Sequence, residues 1–202
     1  MPGTRFSNLR VGAVLTGSHC TMDEVLPQLQ RLRDEGAELV PILSYTVSAT
    51  DNRFYPVAEL KDALRRISGT EIITTITGAE PIGPRKLLDI VVVMPATGNT
   101  IAKMANGIAD TPSLMAVKAQ LRNQRPVVVA ISTNDALGVN ARNIGALMNM
   151  KDIYFVPFGQ DDPEGKPRSL VANMELVGDT ILAAMTGRQL QPMVLGPIFK
   201  SH

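Results

Sequence analysis

The stretch DIVVVMPATGNTIAKMANGIADTPSLM, Asp89 to Met115, decides how this chain is to be read. Asp89 to Met94 is apolar on both faces, the pattern of a strand buried in a parallel sheet covered by helices. Pro95-Ala-Thr-Gly-Asn-Thr100 then turns the chain with small, hydroxyl and amide residues, and Thr100 to Ala109 follows in helical spacing. Thr111-Pro112 reads as an N-cap with proline at the first helical position, opening a second helix to about Leu121. A strand handing over to a helix through such a turn is either a simple corner, with Thr97 and Asn99 as caps, or a phosphate- or sugar-binding corner.

Working outward, β-branched runs alternate with helical patterns. Strands are expected at Val11 to Thr16, Glu38 to Ser44, Glu71 to Thr77, Asp89 to Met94, Val127 to Ile131 and Ile153 to Val156. The pattern Thr21-Met-Asp-Glu24 predicts a capping box, opening a helix with Val25, Leu29 and Leu32 on one face and Gly36 at its end. Further helices are expected at Pro56 to Ser68, Asn140 to Met150 and Ser169 to Met185, with one helical turn in the connection Gly78 to Leu88. Six strands alternating with helices define an α/β fold. The expected architecture is a doubly wound, mainly parallel six-stranded sheet, a Rossmann-like three-layer α/β/α arrangement in one domain over 1–202.

Composition narrows the function classes. Twenty Lys+Arg against 19 Asp+Glu leave a formal charge of +1, which argues against a nucleic-acid-coating surface. Aromatic residues are 4% and tryptophan is absent, so stacking platforms for single strands are not expected. No apolar run is long enough to span a membrane, and MPGTRFSNLR has no signal-peptide core. One cysteine fits a reducing cytoplasm. Two histidines, one of them His202, argue against a Cys/His metal site.

In a doubly wound sheet ligands bind beyond the carboxyl ends of the strands, where strand order reverses. The expected exits there are Thr16-Gly-Ser-His-Cys20, Ser44 to Ala49, Pro95 to Thr100 and Ser132-Thr-Asn-Asp135, all rich in hydroxyl, amide and small residues. Each has an ordinary structural reading, as turn, cap or Asx turn; their concentration on one edge favours a ligand site. A dinucleotide fingerprint is missing: GSHCTM replaces G-x-G-x-x-G, and no acidic residue ends the second strand. Ser44, Thr46 and Ser48 suit a phosphate, so a mononucleotide fits better than NAD. His19 is the candidate for ligand contact or proton transfer. Cys20 lacks a placed partner for nucleophilic work and reads as a packed thiol. Met104, Met115, Met148 and Met150 read as core or interface filler. Arg85, Lys86 and Lys103 are candidate carboxylate or phosphate contacts, with solvated surface as the ordinary alternative.

PATGNTIAKMANGIAD resembles the PASANT motif of the flavoprotein superfamily that includes flavin-dependent cysteine decarboxylases. TGSHC, TVSATDNRF and STNDAL are similar to its other motifs, in the same order. The runs ITGAEPIGPRKLLDIVVVMPATGNTIAKMANGIADTPSLMAVKAQLRN and DDPEGKPRSLVANMELV resemble its dipicolinate synthase branch, from spore-forming bacteria. The resemblance implies an oxidoreductase component that acts with the A subunit of dipicolinate synthase, NADP lying on that partner. Together they would oxidise a dihydrodipicolinate-level precursor to the pyridine dicarboxylate in the mother-cell cytoplasm during sporulation. It also implies FMN as cofactor, with Gly17, Ser18, Thr46, Ser48, Ala96, Thr97, Asn99 and Asn134 as the flavin-site positions. The phosphate would lie near Ser18 and Thr46 and the ring near Ala96 to Asn99. Self-association as a trimer or larger is implied as well. Three features depart from the superfamily pattern. Gly78 to Leu88 lacks the decarboxylase histidine, Leu137 and Gly138 replace the closing methionine and tryptophan, and Gly98 stands where alanine is usual, a change expected to be tolerated. The rival readings are a non-catalytic scaffold for the A subunit of the synthase, or an FMN-dependent decarboxylase or prenyltransferase.

Overall fold

Every residue of Ile90–Ala96 is buried, as a strand covered on both faces must be. This strand lies at the centre of the computed structural model, which describes residues 4–18, 21–51 and 56–196. In chain order the elements are β1 (Arg10–Leu15), α1 (Met22–Asp34), β2 (Glu38–Leu43), α2 (Tyr45–Ala49), α3 (Val57–Ser68) and α4 (Ile76–Ala79). There follow β3 (Ile90–Ala96), α5 (Gly98–Ala105), α6 (Pro112–Leu121), β4 (Val127–Thr133), α7 (Ala141–Met148) and β5 (Ile153–Phe155). The last are β6 (Phe158–Gly159), β7 (Leu170–Ala172) and α8 (Val177–Met185).

Strands β2, β1, β3, β4 and β5 lie side by side and parallel. The register pairs Val11 with both Leu39 and Ile90, and Val91 with Val127. Helices α1 and α8 pack on one face of the sheet, and α5, α6 and α7 on the other. The α/β, doubly wound expectation holds, with β1 and β3 as central neighbours. The chain reverses strand order between them, so their carboxyl ends open at the topological switch point.

Two expected elements take another form. Glu71 to Thr77 contributes a single bridge, Ile73 beside Ile42, before Thr75 accepts a hydrogen bond from Gly78 N (3.0 Å) and turns the chain into α4. A threonine serves a strand or a helix cap equally well, and here the cap prevails. Ser169 to Met185 is not one helix. Leu170–Ala172 pairs antiparallel with Ser132–Thr133 of β4 and with β6. The Asn173 side chain then accepts from Glu175 N (3.0 Å), starting a short 3₁₀ turn ahead of α8. Among the described residues the sheet therefore has seven strands, with an antiparallel extension at the carboxyl end of β4.

The Thr111-Pro112 signal holds: Thr111 Oγ1 accepts from Leu114 N (3.3 Å) and Pro112 occupies the first position of α6. Replacing Thr111 by alanine is expected to cost about 1 kcal/mol of stability. Urea unfolding checks this, and an unchanged midpoint would show that the cap contributes nothing.

Candidate functional site

The carboxyl edge is tied together by side-chain hydroxyls. Thr16, 1% exposed, directly follows β1; its Oγ1 donates to Pro95 O (2.6 Å) and accepts from Thr97 N (3.1 Å). That pair of bonds locks the β1 exit to the β3 exit. Thr97 caps α5, its Oγ1 accepting from Thr100 N at 3.3 Å.

A second group lies between β1 and β4. The Oγ atoms of Ser18 and Ser132 are 2.7 Å apart, and Thr21 Oγ1 lies 2.9 Å from each. Thr21 also donates to Ser18 O (3.0 Å) and makes no side-chain cap on α1, so the capping box read from Thr21 to Glu24 does not form. The hydroxyl is recruited into a three-hydroxyl knot instead. Such groups can redirect their protons to an anionic ligand.

The third group follows β4. Asp135 receives hydrogen bonds on both carboxylate oxygens, from Thr133 Oγ1 (2.6 Å) and Asn140 Nδ2 (2.7 Å). Asn143 Nδ2 donates onward to Asn140 Oδ1 (2.8 Å). This chain of bonds rests directly on Gly98. A Cβ there would come within 2.6 Å of Asn140 Nδ2 and Asp135 Oδ1 and 2.8 Å of Thr133 Oγ1. An alanine, usual at this position in the resembling proteins, would crowd these atoms here.

The flavin-site positions read from the sequence all lie among the described residues. Gly17 and Ser18 are half-buried at the β1 exit, and Ala96 is buried at the end of β3. Asn99, in the first turn of α5, and Asn134, directly after β4, are exposed. Thr46, exposed, and Ser48, half-buried, sit on α2 beyond β2, where Ser48 Oγ donates to Tyr45 O (3.0 Å). His19, Cys20 and Phe54 lie outside the described residues. Asp135 belongs to an exit read from the sequence, whereas Thr21 reads only as a cap and Asn140 and Arg168 lie outside the four exits. The candidate cations are misplaced. Arg85 and Lys86 precede β3 and lie at the opposite, amino edge, where Arg125 Nη1 donates to Lys86 O (3.3 Å). Lys103 is held by Asp110 at 2.6 Å.

Comparison with known proteins agrees with the fold. A family model described as Flavoprotein matches residues 2–189. This chain belongs to the flavoprotein family. Within the family it is 50% identical to the dipicolinate synthase B subunit of Bacillus subtilis (strain 168), over 92% of this chain and 93% of that one. The crystal structure of the dipicolinate synthase B subunit from Bacillus halodurans C is 49% identical. It superposes with a TM-score of 0.88, covering 96% of this chain and 99% of that one. An FMN complex of a Burkholderia xenovorans protein, described as a cubic cage for redox transfer, is more distant: 21% identity, TM-score 0.60, 73% of this chain and 87% of that one. At that distance the likeness concerns the fold alone. Among the described residues no helix of this family member is long and apolar enough to cross a membrane.

Proposed function

We propose that this chain is the B subunit of a dipicolinate synthase and binds FMN at the carboxyl edge of its sheet. With an A subunit that carries NADP, it oxidises a dihydrodipicolinate-level precursor to the aromatic dicarboxylate in the cytoplasm of the sporulating mother cell. The observation that carries this reading is the 50% identity to the Bacillus subtilis protein, which extends over nearly the whole length of both chains.

The donor set fits a flavin mononucleotide. The Ser18, Thr21 and Ser132 hydroxyls, with Thr46 and Ser48, would hold the phosphate. The amides of Asn99 and Asn134 would meet the edge of the heterocycle, since an amide both donates and accepts. Ala96, a small residue buried at the end of β3, would lie near the flat ring. Bound flavin supplies a hydride acceptor. The protein's own part is to orient the substrate against it and to move a proton, for which His19 is the candidate. Self-association as a trimer or larger assembly belongs to the same reading. A decarboxylase reading is weaker, because Gly78 to Leu88 contains no histidine.

The test is a visible absorption spectrum of the purified chain, before and after FMN is added and the excess removed. Retained flavin with a shifted spectrum is expected. No retention, even with dipicolinate and the A subunit present, would remove FMN from the reading and leave hydride transfer to the partner.

A further inference from the structure

A pyridine dicarboxylate carries two negative charges near neutral pH, and the hydroxyls and amides at the carboxyl edge supply hydrogen bonds but no positive charge. The cations picked out in the sequence are at the wrong edge or already paired. The fold brings another one in. Pairing of β7 with β4 sets Val171 opposite Ser132 and Leu170 opposite Thr133. Arg168 therefore falls just past the carboxyl end of β4, beside the turn that follows Asn134. Leu137 N donates to Arg168 O (3.0 Å), and Ser169, 3% exposed, anchors the next residue.

The side chain is laid along Gly138. A Cβ at 138 would lie 3.5 Å from both Cδ and Nη1 of Arg168. Gly138 carries no side chain of its own, and the Arg168 guanidinium lies over it. Of the three acidic residues in the same loop, Asp161 and Asp162 hold other partners and Glu164 is exposed. Asp161 pairs with Lys166 at 3.1 Å, and Asp162 Oδ1 accepts from Gly165 N (2.9 Å). Burial pushes the Asp161 carboxyl up, but hydrogen bonds from Ser169 and Lys166 outweigh it and hold the group below its usual range. Among the described residues Arg168 has no ion-pair partner, and it is exposed.

We infer that Arg168 is the carboxylate-binding residue of the substrate pocket. It takes one carboxylate of a pyridine-type dicarboxylate by a two-pronged guanidinium contact, at the exposed carboxyl edge beside Gly138. The inference rests on the proposed function and adds the residue that selects a charged substrate. A planar guanidinium matches a carboxylate with two parallel hydrogen bonds, which lysine cannot reproduce.

The test is calorimetric titration of the FMN-supplemented full chain with pyridine-2,6-dicarboxylate and with its neutral diamide. Arg168→Ala should weaken dicarboxylate binding by about 10- to 100-fold, the range for losing a charge-assisted hydrogen bond. Diamide binding should not follow, and Arg168→Lys should recover only part of the loss. Arg142→Ala, which removes an exposed cation from the first turn of α7, controls for a diffuse field. Three outcomes would overturn the assignment while leaving the functional reading in place: unchanged dicarboxylate affinity, an equal fall for both ligands, or an equal fall in Arg142→Ala. If the unaltered chain binds neither ligand, the functional reading and this inference fall together.

Discussion

Replacing Gly98 by alanine is expected to destabilise the protein by about 1–3 kcal/mol, the usual cost of forcing a methyl into a filled space. The contact at 2.6 Å is with side-chain ends, which often swing aside at little cost. These cannot. Asp135 is fixed at both oxygens by Thr133 and Asn140, and Asn140 is fixed in turn by Asn143. Asn140 and Asn143 are 6% and 7% exposed, so a displaced amide loses its partner without gaining water. For a chain of this length each kcal/mol lowers the melting temperature by roughly 2–4 °C. Gly145→Ala provides the contrast. Gly145 lies within α7 with nothing within 4 Å of an added Cβ, and alanine there should stabilise by about 0.5–1 kcal/mol. Coupling to the network is read from a double variant. Adding Asp135→Ala to Gly98→Ala should cost less than the sum of the two single changes. Strict additivity, or a Gly98→Ala protein that melts with the wild type, would mean that the network yields freely and does not hold the α5 corner.

The elements legible in the sequence are those whose cause is local. Three consecutive valines in β3 serve only a strand buried on both faces, and Thr111-Pro112 opens only a helix. Glu71 to Thr77 reads as a strand because β-branched residues suit a strand and a capped turn alike, and only the single bridge to Ile42 shows how little sheet is made. Leu170–Ala172 is three residues long, too short to reveal a period of two within a stretch that also carries a helical pattern. The hydroxyl-rich edge itself is legible, because parallel strands deliver all their exits to one side. Chain direction also bears on Arg85 and Lys86: residues that lead into a parallel strand lie at its amino edge, away from the candidate site. What no local pattern carries is contact between exits. Thr21 has the spacing of a cap, but Ser132 lies 2.9 Å away and claims its hydroxyl. Gly98 has the look of a replaceable small residue, but Asp135 lies against it. Arg168 sits in a polar loop with no motif around it, and only the pairing of β7 places it beside the Leu137 turn.

Introducing a carboxylate into the hydroxyl knot should abolish FMN retention if the phosphate end lies there. Ser18 is the position to change, because it is half-buried whereas Ser132 is 5% exposed and would bury the new charge. Ser18→Asp sets a negative group against a phosphate of the same sign. A hydrogen bond to a charged group is worth about 1.5–3 kcal/mol, so losing it alone weakens binding by roughly 10- to 100-fold. Repulsion adds to that loss, and retention through gel filtration should disappear. Ser18→Ala removes only the hydroxyl and should show the smaller effect alone. Riboflavin, which has the same ring and no phosphate, separates the two ends of the site: its weaker binding should change little in either variant. A melting curve accompanies Ser18→Asp, since Thr21 and Ser132 both bond to the replaced hydroxyl. A folded Ser18→Asp protein that still retains FMN would move the phosphate away from the knot. Loss of FMN and riboflavin together would point to a distorted edge. Loss of FMN alone would assign the β1 exit to the phosphate and leave Ala96 to Asn99 and Asn134 for the ring, the arrangement in which Arg168 faces the substrate.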